Sequence, residues 1–419
     1  MKAREHTRVT AVWLRGAGTG LVFMGLSAAA VAQDSTHEGF GQFIADSRIE
    51  ADFRYRFEHV DQDAFDKDAD ASTLRSRITL RSGKAWGLSV LGEIDNIAYL
   101  GDDDFNSTDN GNTAFPVVAD PKGTEVNQLW LGYTADGLAA HIGRQRINHG
   151  NQRFIGGVAW RQNEQTYDGA RLEWKGLHPV TLDYAYIYNV NRIFGPSDTA
   201  AQPGDWRGDN HFIRLDWALA SEHKLAVFAY LLDIDARAAW GPQLSVNNST
   251  DTFGLDYAGS FKPFSLKAAY AVQSDSGDSS LNYDARYWML EGAVDLAVLT
   301  ALVGYEVLGS DNGVGFKTPL ATLHKFQGWA DLFLVTPDDG IEDWYLGASG
   351  KAGPVTLEAY YHEFKAESSS AEFGSEIDMA ATWPVTKRFS TQLTYAVFDA
   401  DSARYTDTEK VWLTLQFKL

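Results

Sequence analysis

From Ser47 to Val60 the chain reads SRIEADFRYRFEHV, and its residues alternate between two characters without a break. Ile49, Ala51, Phe53, Tyr55 and Phe57 share one parity, while Arg48, Glu50, Asp52, Arg54, Arg56 and Glu58 share the other. Successive side chains of a strand point to opposite faces, so this segment makes one apolar wall and one charged wall. TLRSRITLRS repeats the pattern, with Leu74, Ile78 and Leu80 opposing Arg75, Arg77, Thr79 and Arg81. VTLDYAYIYN, VTLEAYYHEF and STQLTYAVF continue it, and the last residues, KVWLTLQFKL, set Val411, Leu413, Leu415, Phe417 and Leu419 against Trp412, Thr414, Gln416 and Lys418. Beyond the N-terminal region no window of about 18 apolar residues occurs, so a membrane would be crossed by strands and not by helices.

A soluble sandwich or propeller also shows period-two patterning. Two features favour a barrel in lipid: the polar faces carry too many charges for an ordinary solvated sheet, and Tyr184, Tyr186, Tyr188, Tyr360 and Tyr361 crowd strand ends as an interfacial girdle does. The final amphipathic strand resembles the closing strand of an outer-membrane barrel, with Phe417 standing in for the usual terminal aromatic. Short turns near Gly83, Asp136, Leu177, Ala220, Lys262, Ala352 and Val385 alternate with long Asp/Asn/Gly/Ser-rich loops at 61–72, 101–125, 191–209, 236–250 and 274–283. Periplasmic turns are short and external loops long in such barrels, and an even strand number returns both ends to the periplasm. A count of nineteen candidate strands falls to about 18 when residues 309–340 are read as one long external loop with an irregular or helical piece. The expected fold is therefore all-β, a single transmembrane antiparallel barrel of about 18 strands.

Lys2, Arg4, Arg8 and Arg15 precede a small and apolar run ending in Ala30-Val31-Ala32, which fits an export signal cleaved after Ala32. Residues 33–46 are then a short periplasmic lead and 47–419 the barrel. Removal of the signal takes four basic residues and one acidic residue, moving the net charge from −20 to −23. With 44% hydrophobic residues the chain is not disordered, and with no cysteine it has neither disulfides nor a thiolate site.

Against that acidity, Gly143–Trp174 gathers five arginines among glycines and aromatics. Ala170, Leu172 and Trp174 read as lipid-facing, so Arg171 and Glu173 face the lumen. Arg144 and Arg146 share parity with Leu138 and Ile142, but an arginine on the lipid face at mid-depth costs about 2 to 4 kcal/mol, which places both inside. The connecting loop NHGNQRFIGGVAWRQNEQ holds Phe154, Ile155 and Trp160, apolar enough to fold into the barrel and carry Arg153 and Arg161 toward the pore. Arg54, Arg56, Arg75, Arg77, Arg81 and Arg214 point inward by alternation. Rings of guanidinium groups select anions; alternatively these arginines pair with lumenal Glu50, Asp52, Glu93, Asp95 and Glu173 and stiffen the wall.

At GRQRI, NQRFIG and WRQNEQTYDGARLEW, and again at HKFQGWADLFLVTP, IEDWYLG and YYHEF, the sequence resembles the alginate-export family of outer-membrane barrels. The resemblance implies an 18-stranded monomer whose arginine constriction passes a polyuronate, and it assigns that role to Arg144, Arg146, Arg153, Arg161 and Arg171. Asp168 stands in the same motif and is expected to help shape the pore, whereas Arg54, Arg56, Arg75, Arg77 and Arg214 rest on alternation alone. The expected function is passive, anion-selective passage of an acidic polysaccharide or oligosaccharide; the alternative is a general diffusion porin. Expected partners are that saccharide, outer-membrane lipid and lipopolysaccharide, and, for polymer export, periplasmic secretion components, with no nucleic acid. No cofactor or metal is expected, and the acidic loops read as a hydrated surface. Scattered His59, His141 and His362 without a nucleophile motif argue against an enzyme.

Overall fold

The computed structural model describes residues 36–197, 201–237 and 242–419. The proposed export signal lies outside them. A helix, α1 (Thr36–Ala45), precedes the sheet, so the short lead has structure of its own. The strands are β1 (Arg48–Gln62), β2 (Ala69–Arg81), β3 (Leu88–Tyr99), β4 (Gly123–Ala135), β5 (Leu138–Gln145), β6 (Thr166–Leu177), β7 (Val180–Asn191), β8 (Asp205–Ala220), β9 (His223–Leu232) and β10 (Thr250–Phe261). They continue as β11 (Phe264–Asp275), β12 (Asp284–Asp295), β13 (Leu299–Leu308), β14 (Ser310–Asp311), β15 (Val314–Gly315), β16 (Ile341–Ala352), β17 (Val355–Lys365), β18 (Glu372–Trp383), β19 (Phe389–Ala400) and β20 (Thr408–Lys418).

All but the small hairpin β14–β15 form one 18-stranded antiparallel sheet in which each strand pairs with its neighbours in sequence. β20 closes on β1, with Phe417 opposite Phe53 and Leu413 opposite Phe57. Closure leaves no free sheet edge, the condition for a sheet whose outer face meets hydrocarbon. The residues of apolar parity are the exposed ones, among them Ile78, Leu80, Ile94, Leu131, Ile142, Leu255, Leu290, Leu346 and Leu393. On the outer face Tyr184 bonds His211 at 2.9 Å and Tyr186 donates to Asp209 at 2.5 Å, forming part of a polar and aromatic rim.

The connection from β13 to β16 contains β14–β15 and a 3-10 turn at Leu323–Lys325 but no strand of the barrel, so the even count stands. This segment and the β5–β6 loop both fold into the lumen, where they meet: Gly156 N–H donates to Leu320 O at 2.9 Å, and Ile155 bridges Leu320. Phe154, Ile155, Trp160, Phe316, Leu320 and Phe333 join lumen-facing Phe212, Phe228, Tyr230, Tyr287, Phe364 and Phe398 in one apolar cluster. The core of this barrel therefore lies inside it.

Candidate functional site

Alternation dictates the site's raw material. β1 presents Arg54, Arg56 and Glu58 to the lumen, and β2 presents Thr73, Arg75, Arg77 and Thr79, every one of them buried. Arg54 crosses to the β5–β6 loop, where Nε donates to Gln162 Oε1 at 2.9 Å, Nη1 to Ala159 O at 2.8 Å and Nη2 to Arg161 O. Arg56 stacks over Trp160 at 4.4 Å, and its Nε and Nη1 make no hydrogen bond. Arg75 reaches Asp52 at 3.3 Å. Arg77 is fully committed, to Asp95 at 2.5 Å and Glu164 at 2.9 Å.

The loop's own charges complete the lattice. Glu164 links Arg77 to Arg146, which also reaches Glu93 at 3.0 Å. Burial alone would raise the Glu164 carboxyl, but Arg77 and then Arg146 hold it down at about 2. Arg161 donates to Glu58 at 3.0 Å and Asp331 at 3.1 Å, tying a strand and both inward loops together. Arg153 lies 2.9 Å from Glu306 and 2.9 Å from Gln327. Against the effect of burial, His324 and Lys410 hold the Asp331 carboxyl well below the usual range.

A second sector of wall is acidic. Glu306 of β13, Asp343 of β16 and Glu376 and Asp378 of β18 are buried and lumen-facing. Glu376 accepts the Ala330 N–H at 2.6 Å, Asp378 accepts the Trp329 N–H at 3.3 Å, and His362 bridges Asp343 and Asp378 at 2.9 and 3.7 Å. Gly328 has φ +80° and lies so close that a Cβ would come within 2.3 Å of the Glu376 carboxylate. These acids, together with Glu164, Asp331, Gln162 and Gln327, were not singled out from the sequence. Glu306 and Glu376 were recoverable by strand parity; the loop residues carried no periodic signal.

Two expected pore residues are elsewhere. Arg144 stands opposite Leu129 in the β4–β5 register and opposite Asp168 in the β5–β6 register. Leu129 is 56% exposed on the lipid-facing side, and cross-strand partners share a face. Arg144 and Asp168 thus lie on the outer wall, corrected from the lumen. Parity was right and the energetic objection failed for a specific reason. The two bond each other at 2.7 and 3.0 Å, Asn189 and Asn191 add bonds to Asp168 at 3.1 and 2.9 Å, and Asp168 lies two residues beyond Ala170, the partner of Tyr186, close to the start of β6. Arg146, past the end of β5, turns inward. Arg171 and Arg214 face the lumen, paired with Asp183 at 2.5 Å and Asp256 at 2.7 Å.

The β5–β6 loop separates two cavities. On the periplasmic side a space of about 380 Å³ is lined by Arg81, Arg146, Arg171, Trp130, His141 and Gln128 among others. On the extracellular side a space of about 470 Å³ opens among the long loops. Among the described residues no group of histidines and acids is arranged to hold a metal.

A closed 18-stranded barrel with an apolar outside, a charged inside and loops folded into its bore defines an outer-membrane channel. The chain belongs to the alginate export family, whose model matches residues 27–321, ending before the second resembling patch at 324–364. No curated protein matches the sequence. Among solved structures it resembles Pseudomonas aeruginosa OccK3 (OpdO), with TM-score 0.66 and 13% identity over 92% of this chain and 99% of that one. Acinetobacter baumannii OccAB2 gives 0.70 and 14% over 90% and 99%, and Pseudomonas aeruginosa OccK11 (OpdR) gives 0.65 and 16% over 90% and 97%. At such identities the likeness is one of fold; membership of the alginate export family, together with the closed barrel, places the protein in the bacterial outer membrane.

Proposed function

We propose that this channel gives passive, anion-selective passage to an acidic saccharide of the alginate type. The observation that carries the reading is the convergence of Arg81, Arg146 and Arg171 on one lumenal cavity. The side chains of Arg146 and Arg171 keep 28% and 20% of their surface exposed despite their carboxylate partners, so each has N–H edges to offer a passing carboxylate. Repeated weak contacts of this kind lower the barrier for an anion without trapping it.

The test is a planar-bilayer measurement with polymannuronate, galacturonate oligomers and a neutral oligosaccharide of equal length. The reading expects anion-biased reversal potentials and current block by the two acidic ligands only, both weakened in Arg146→Gln/Arg171→Gln. Equal block by the neutral sugar would instead favour a general diffusion porin.

A further inference from the structure

The extracellular cavity differs chemically from the lumenal one. Its lining is mostly apolar, with Val117, Ala119, Val158, Ile193, Leu323 and Leu334 among the contributors, and four side chains able to carry positive charge reach it: Arg161, His324, Lys410 and Arg192. The first three are committed to buried acids: Arg161 to Glu58 at 3.0 Å and to Asp331, His324 to Asp331 at 2.8 Å, and Lys410 to the same carboxylate at 3.4 Å.

Arg192 is different. Its guanidinium lies 4.5 Å from the Phe194 ring and 4.0 Å from the Trp206 ring, and Nη1 donates to Pro203 O at 3.0 Å. Among the described residues no carboxylate pairs with it, and burial draws its pKa down to about 9, which still leaves it charged at neutral pH. The two rings hold the planar fork in place, so little freedom is lost when its remaining N–H groups engage a ligand. A cation removed from water without a counter-ion is costly until an anion meets it. Gln62, Asn106, Thr108, Gln165 and Gln202 also line the space, but aliphatic surface predominates there and offers little to the hydroxyls of a sugar.

We propose that this cavity is a binding site for a carboxylate with an apolar body, Arg192 taking the carboxylate and Ile193, Leu323 and Leu334 covering the rest. The site stands above the lumenal anion path and rests on that reading. It makes the mouth a first filter whose preference, a greasy acid, is distinct from that of the arginines below.

Cyclohexanecarboxylate and galacturonate form a suitable pair of probes, six-membered rings with one carboxylate, without and with hydroxyls. Calorimetric titration of the purified barrel in nanodiscs should show cyclohexanecarboxylate binding at least tenfold more tightly than galacturonate or acetate. Arg192→Gln should cost at least tenfold of that affinity and Arg192→Lys less, and Leu334→Asp should erase the preference for the apolar ring. Each variant is first checked for the gel-mobility shift on boiling that marks a folded barrel. Equal affinity for the two ring acids, or binding unchanged in Arg192→Gln, would overturn the proposal. If that happens while reversal potentials stay anion-biased, only the mouth site fails; loss of both removes the lumenal reading as well.

Discussion

The basic sector of β1–β2 and the acidic sector of β13, β16 and β18 perform the same task with opposite charges. The guanidinium groups of Arg54 and Arg77 donate to carbonyl, amide and carboxylate oxygens of the β5–β6 loop. The carboxylates of Glu376 and Asp378 accept backbone N–H groups from residues 329 and 330 of the other inward loop. Each sector suits the polarity of the backbone edge it holds. They differ in their balance. The acids have His362 and Arg153 at hand, whereas among the described residues Arg54 and Arg56 form no ion pair with a carboxylate and spend their guanidinium groups on the β5–β6 loop. One sector thus pins its loop through donors and the other through acceptors.

The largest effect is expected where both loops share a fastening. Arg161→Ala strands buried Glu58 and leaves Asp331 to His324 and Lys410, a loss of about 3 to 5 kcal/mol by the usual cost of an orphaned buried charge. Because the barrel wall is untouched, the readout is a larger and noisier single-channel conductance with the boiling-dependent gel shift retained; unchanged conductance would show that the loops do not need this clasp. Next comes Gly328→Val, which forces a Cβ into the Glu376 carboxylate at a position of positive φ, expected to cost about 2 to 3 kcal/mol and to free the second loop alone. Protease accessibility at residues 325–335 should rise while residues 150–160 stay protected.

Acid should separate the sectors further. The Glu164 carboxyl is depressed from 4.5 to about 2, so the fastening it provides is complete above about pH 4.5 and is lost as pH falls toward 2. Conductance should therefore rise between about pH 4 and 2, and Glu164→Gln should show the raised value already at pH 7. The smallest effect belongs to Arg144→Gln. It sits on the outer wall, so reversal potential should match the parent within error while Arg146→Gln reduces anion preference severalfold. A drop in selectivity for Arg144→Gln would place its charge in the path after all.

Strand alternation made the barrel, its count and the inward faces of β1 and β2 legible, because a period of two is written into every residue that crosses lipid. It made the two inward loops legible only in outline, through the apolar content of Phe154, Ile155 and Trp160. Their fastening was not readable, since Arg161 and Asp331 are 170 positions apart and nothing periodic links them. Arg144 teaches the reverse lesson. The periodic signal puts it outside, and the mean penalty for an arginine facing lipid is lowered there because Asp168, itself held by Asn189 and Asn191, pairs with the guanidinium.

A cylinder of eighteen strands has the girth for a wide hole, yet here the sequence supplies its own stopper. With no cysteine to lock it, that stopper is held by ion pairs, hydrogen bonds and apolar packing. Admission through such a channel is then expected to follow how often a cork of two segments loosens in its neck, with the acidity or salinity of the surroundings shifting that balance without a single new protein being made.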